Sequence, residues 1–173
     1  MGLILLRHTR PEGAAGLCYG RTDLSLGPDF DHEAATIAAR LPAVARIVSS
    51  PLSRCLRLAQ AIARTRTQPV QVLPDLIEMD FGTWENRAWS VISRSEIDAW
   101  SEDFLDARPH GGESVRQLAA RTRKALDQAA AGPRPTLVVT HAGIIKAARV
   151  ATGEADAWQS ETAFGRWVTV DWP

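Results

Sequence analysis

Two histidines stand where apolar runs turn abruptly polar: His8 after Leu3-Ile4-Leu5-Leu6-Arg7, and His141 after Leu137-Val138-Val139-Thr140. A neutral imidazole, with an ordinary pKa of about 6.5, keeps a lone pair that can attack phosphorus and form a phosphohistidine. Arg7 adjoins His8, and Arg54 follows the hydroxyl-rich stretch Ser49-Ser50-Pro51-Leu52-Ser53. Guanidinium groups grip phosphate oxygens in forked pairs and neutralise the charge that would repel a nucleophile. Hydrolysis also needs a proton for the departing alkoxide. Glu78, between Leu76-Ile77 and Met79, is a carboxyl that an apolar setting can keep protonated until it donates. These residue types suit the handling of an anion, a phosphoryl group above all, with His8 as nucleophile.

Each residue alone also has an ordinary structural explanation. An Arg-His pair is common, Glu78 by itself is a loop carboxylate, and Arg54 by itself is a solvated helix residue, as Arg57 and Arg64 are expected to be. His32 and His110 lack comparable context and are expected at the surface. His8, His141 and Glu78 could instead be metal ligands, but Arg7 would crowd positive charge there and no His-x-x-x-His pair supports it. A phosphate-recognising domain without turnover is a further alternative, although a mere binder has no need of Glu78. Six tryptophans are expected mainly as core filler, with Trp84 the exception as a pocket wall beside Glu78.

The elements that must position these residues follow from hydrophobic pattern. Residues 2–6, 46–49, 70–73, 136–140 and 167–171 read as strands, and 31–41, 52–65, 113–131 and 143–152 as helices, with another helix within 89–106. Alternation of the two predicts an α/β fold, a three-layer α/β/α sandwich with a mainly parallel central sheet. In such sheets ligands bind outside the carboxyl ends of the strands, where His8, Ser49-Ser50 and His141 all fall. Ser50 is expected to cap the second helix with Pro51 in its first turn. Gly111-Gly112 and Gly132-Pro133 are expected to bound the 113–131 helix. Residues 10–30 lack periodicity, and loops of that length are often functional.

A chain of 173 residues suits one domain spanning 1–173. Twenty basic residues balance twenty acidic ones, so nothing global steers the protein to nucleic acid or an anionic membrane. The first apolar run is four residues long and ends at Arg7, which excludes a secretory core there and points to a cytoplasmic location. Cys18 and Cys55 show no metal or redox spacing and are expected as reduced thiols, Cys55 as a small packed side chain. A homodimer is compatible with the tryptophan content.

In order along the chain, Leu-Leu-Arg-His-Thr (5–9), Ser-Ser-Pro-Leu-Ser-Arg (49–54), Glu-Met-Asp-Phe-Gly-Thr-Trp-Glu (78–85), Gly-Gly-Glu-Ser (111–114) and Thr-His-Ala-Gly (140–143) resemble the histidine phosphatase superfamily, in its phosphoglycerate-mutase-like branch. The resemblance implies a metal-independent phosphohistidine mechanism without a cofactor. It makes His8 the nucleophile, Arg7, Arg54 and His141 the phosphate pocket, and Glu78 the proton donor. Short length favours a phosphatase over a mutase, and the α-ribazole phosphatase type is the nearest in character, which implies a small-molecule phosphomonoester as partner. Cys18 to Leu26 resembles the branch's Gly-x-x-Asp-x-x-Leu stretch and is expected to shape the substrate entrance. Thr9 stands where the family usually has glycine, and the Asn that usually follows is missing. Thr9, Arg10, Arg21 and Ala142 are therefore further candidates for phosphate contact.

Overall fold

The computed structural model describes residues 2–173. In chain order its elements are β1 (Leu3–Arg7), β2 (Leu17–Cys18), α1 (Phe30–Arg40), β3 (Arg46–Ser49), α2 (Ser53–Arg66), β4 (Val70–Val72), β5 (Arg87–Ala88), α3 (Arg94–Glu102), α4 (Val115–Ala130), β6 (Thr136–Thr140), α5 (Ala142–Ala151) and β7 (Trp167–Val170). Five strands form the main sheet in the order β4-β3-β6-β1-β7, parallel except for β7, which runs antiparallel to β1. This is the three-layer α/β/α sandwich that the strand and helix alternation predicts.

The strands read as continuous apolar runs because both sheet faces are buried. Alternate side chains go to opposite faces. Leu3, Leu5, Val48 and Val138 join the core under α4 and α5, while Ile4, Leu6, Ile47, Leu137 and Val139 join the core under α1 and α2. Charging any of these would therefore disrupt one helical layer.

Several boundaries differ from expectation for local reasons. α2 starts at Ser53, and Ser50 does not cap it conventionally, because its hydroxyl lies 2.8 Å from Nε2 of His141. Asp23 takes over, accepting from the Ser53 backbone N–H at 3.0 Å and from its hydroxyl at 2.8 Å. α4 starts at Val115 rather than 113, since Ser114 forms a reciprocal capping box with Gln117 and so stands outside the helix. The helix expected within 89–106 contracts to α3, capped by Ser93, after a 3₁₀ turn at Trp89–Val91. Residues 10–30 are not wholly irregular: β2 pairs with β5, and Pro11 bridges Leu26.

His110 and Trp84 do not sit where the sequence suggests. His110 is buried, not superficial: its Nδ1 accepts the Gly112 backbone N–H at 2.9 Å, and its ring stands edge-on to Trp84 at 4.9 Å. Trp84 is wholly buried and walls no pocket; with Cys18 and Ile92 it forms a small separate core. Two glycines before α4 let the chain turn inward there, which a lone histidine in a polar stretch does not advertise.

Candidate active site

Strand register assembles the site. Arg7 of β1 pairs with Thr140 of β6, so the residues that follow, His8 and His141, emerge side by side with ring centroids 5.2 Å apart. On the other side of β6, Ser50 donates its backbone N–H to Val139 at 3.0 Å and so stands beside His141. Three neighbouring strand ends thus present two imidazoles and a hydroxyl at one point.

His8 is buried, with Nδ1 2.7 Å from the Thr9 carbonyl oxygen. A carbonyl only accepts, so Nδ1 carries the hydrogen and Nε2 keeps the lone pair. Burial first, with the positive charge of Arg54 and then Arg7 in support, lowers the His8 pKa to about 3 against the raising effect of the Thr9 bond. Burial likewise holds His141 well below its ordinary value, aided by His8 and the nearby arginines. Both rings are therefore neutral at neutral pH.

Arg54, from the first turn of α2, is wholly buried and donates to the Thr22 carbonyl at 2.7 Å and the Gly20 carbonyl at 2.6 Å. Arg7 donates to the Thr162 carbonyl at 2.7 Å and lies 3.8 Å over the Phe164 ring. Neither guanidinium joins any of the salt bridges among the described residues, and Nε of each is buried without an acceptor. Two cations held by carbonyl dipoles and aromatic faces, with no carboxylate partner among the described residues, make a site of positive potential suited to an anion.

Glu78 is half-buried beside α5. Its carboxylate accepts the Met79 N–H at 3.0 Å and the Gly143 N–H at 3.1 Å. With Ala142 and Gly143 it lines a cavity of about 370 Å³. Four partly exposed aromatic rings, Phe81, Trp100, Phe104 and Trp158, line the same space, the part the sequence suggested for Trp84.

Sequence reasoning missed the residues that hold these groups in place. The Glu85 carboxylate accepts backbone N–H groups from Gly20, Arg21 and Thr22, each at 3.0 Å, and from Phe81 at 3.1 Å, together with the Thr22 hydroxyl at 2.5 Å. Burial opposes its ionisation, but the bonds from Thr22, Gly20, Arg21 and Phe81 prevail and hold its pKa below the usual value. It thereby fixes the loop whose carbonyls hold Arg54. Arg121 of α4 makes a forked pair with Glu113 at 2.6 and 2.8 Å and donates to the carbonyls of Asp75, Ile77 and Glu78. Cys55 lies 3.4 Å from Nε2 of His141, its thiol pushed up by burial. Glu85, Glu113 and Cys55 lie inside or next to the motifs already noted, and that position is the one signal of them in the sequence.

The remaining candidates are placed less centrally. Thr9 is buried and contributes its carbonyl to His8, while Ala142 opens α5 at the cavity wall. Arg21 points to Asp80 at 3.5 Å and Glu113 at 3.9 Å, and Arg10 is exposed with its guanidinium 4.8 Å from the Phe164 ring. Arg57 and Arg64 lie on α2 away from the site, and His32 is exposed, as expected. Among the described residues no group of three or more His, Cys, Asp or Glu is arranged as metal ligands would be, so His8, His141 and Glu78 do not form a ligand triad.

The chain is similar to several known proteins. The adenosylcobalamin/alpha-ribazole phosphatase of Salmonella typhimurium is 29% identical over 182 residues, covering 99% of this chain and 90% of the relative. The glucosyl-3-phosphoglycerate phosphatase of Mycolicibacterium vanbaalenii is 33% identical over 166 residues, covering 84% of this chain and 71% of the relative. The crystal structure of phosphoglycerate mutase from Thermus thermophilus superposes with a TM-score of 0.79 at 28% identity, covering 100% of this chain and 94% of the other. No helix among the described residues is long and apolar enough to cross a membrane. A model of the histidine phosphatase superfamily (branch 1) matches residues 3–166, spanning every strand and helix that builds the site except β7, and the chain belongs to that superfamily.

Proposed function

We propose that this histidine phosphatase hydrolyses a small-molecule phosphomonoester through a phosphohistidine on His8, with α-ribazole 5′-phosphate as the leading substrate. The observation that carries the reading is a neutral imidazole between two guanidinium groups that have no carboxylate partner among the described residues. Arg7 and Arg54 hold the phosphoryl oxygens, with His141 as a neutral hydrogen-bonding partner. Nε2 of His8 attacks phosphorus and the bond to the ester oxygen breaks. Glu78 gives that oxygen its proton, leaving the alcohol and a carboxylate. The carboxylate then takes a proton from water as the water attacks phosphorus. Inorganic phosphate leaves and His8 returns to its neutral form. The Nδ1–H bond to Thr9 holds the ring in one tautomer throughout.

The substrate assignment draws support from the Salmonella relative named above. The mutase among the similar structures gives the second reading, phosphoryl transfer between hydroxyls of one substrate. Rapid acid-free quenching of single turnovers should trap acid-labile phosphate on the wild type and none on His8→Ala, whose turnover should fall at least about a thousandfold. Turnover without any labelled histidine would rule out the covalent route. Adding 3-phosphoglycerate with its bisphosphate primer separates the readings, since a phosphatase yields no 2-phosphoglycerate.

A further inference from the structure

We infer that Phe164 is a positioning residue for the phosphoryl-binding cation: the face of its ring holds the Arg7 guanidinium and leaves that group's charge to the anion. This rests on the reading that Arg7 grips phosphoryl oxygens, and adds what aims it. Cζ of Arg7 lies 3.8 Å from the centre of the Phe164 ring, and Nη1 donates to the Thr162 carbonyl at 2.7 Å. Both partners come from one short segment, and backbone bonds fix that segment against the end of β1. The Gly165 N–H donates to the carbonyls of Arg7 at 3.2 Å and His8 at 3.1 Å, and the Arg7 N–H donates to the Arg166 carbonyl at 3.0 Å. Gly165 turns the chain directly after Phe164 with a φ of +67°, a conformation that glycine adopts freely.

A carboxylate in the same place would form a forked pair with the guanidinium, occupy its N–H groups and cancel the charge that phosphate needs. An aromatic face attracts the cation through the electrons above its plane and carries no net charge. Nε of Arg7 is buried without an acceptor, so its hydrogen is left for a phosphoryl oxygen. The packing role usual for phenylalanine is not the one found here. Phe164 is half-buried and belongs to none of the three hydrophobic clusters that form the cores. Its ring meets polar groups instead: the His8 ring at 5.5 Å, tilted by 52°, and the Arg10 guanidinium at 4.8 Å. A side chain of this kind contributes little to the core and much to the attitude of Arg7.

The test separates the electrostatics of the ring from its shape. Phe164 is replaced by phenylalanines bearing one, two and three ring fluorines, which draw electron density from the face while barely changing the outline. The inhibition constant of inorganic phosphate against p-nitrophenyl phosphate should climb with each fluorine, about threefold to tenfold over the series. Phe164→Leu, which has no aromatic face, should raise it about fivefold to thirtyfold, the range of partly desolvated cation–π contacts. Thermal unfolding should stay the same across the fluorinated series. A ring that only fills space is indifferent to fluorine or gains from its apolar surface. A flat or falling series therefore overturns the inference, even where Phe164→Leu weakens phosphate. Phosphohistidine that still forms on His8 in those proteins leaves the phosphatase reading standing. No hydrolysis and no phosphohistidine in the wild type removes that reading, and the inference with it. Should Phe164→Leu fail to fold, the fluorinated series decides alone.

Discussion

Glycine is the only residue that fits at position 143 without moving Glu78. A Cβ there would come within 2.4 Å of Oε1 of the Glu78 carboxylate, which the Gly143 N–H itself holds. The helix tolerates alanine well, so the cost of Gly143→Ala falls on the position of Glu78 rather than on folding. We expect kcat to fall about tenfold to a hundredfold, as for displacements of about 1 Å in other active sites. Thermal unfolding should hardly change, and a variant with normal kcat would show that Glu78 need not stay where it is. At this scale the sequence is informative about His8, His141, Arg7, Arg54 and Glu78, because each lies at or near a strand end that its apolar run announces. For Glu85 the 78–85 motif gives a position but not a partner. The partners of that carboxylate at residues 20 to 22 lie 63 to 65 residues away in the chain, and only folding brings them together. The burial of His110 is equally hidden, because it depends on aromatic neighbours from other segments.

The elements divide the work between a rigid sheet and a braced loop. β1, β3 and β6 carry the histidines and Ser50 at their ends, and no loop adjustment can alter that register. Arg54 is different: its guanidinium is aimed by the carbonyls of Gly20 and Thr22, which Glu85 in turn fixes. Glu85→Gln places an amide among N–H donors and removes the charge that they share. Losing one or two charge-assisted bonds should release this loop and raise the inhibition constant of inorganic phosphate about tenfold. Unchanged phosphate inhibition would mean that Arg54 keeps its aim without the brace. The main strands can be read from sequence because burial on both faces makes them uninterrupted apolar runs. β2 and β5, two residues each, are too short to show any period. Helix starts shift where a capping hydroxyl has another partner, as Ser50 has in His141.

For the whole molecule, two buried neutral imidazoles tie stability to pH. In the unfolded chain His8 and His141 take up protons below about pH 6.5, whereas the folded protein keeps both neutral at lower pH. Unfolding therefore takes up protons in that window, and stability drops as pH falls from about 6.5 towards the His8 value of about 3. Each such group contributes a slope of up to about 1.4 kcal/mol per pH unit. His8→Asn should make urea unfolding free energy less steeply dependent on pH between about 6 and 4 by roughly one such slope. Identical slopes in variant and wild type would contradict a neutral buried His8. One other feature acts over the full chain. Arg7, in the first strand, is held by the Thr162 carbonyl 155 residues later and by the Phe164 ring, on the segment that leads into β7. The ribosome delivers that segment after the other four strands of the main sheet. A nascent chain can therefore lay down four of the five strands of the main sheet while the Arg7 guanidinium still lacks both of the partners that aim it.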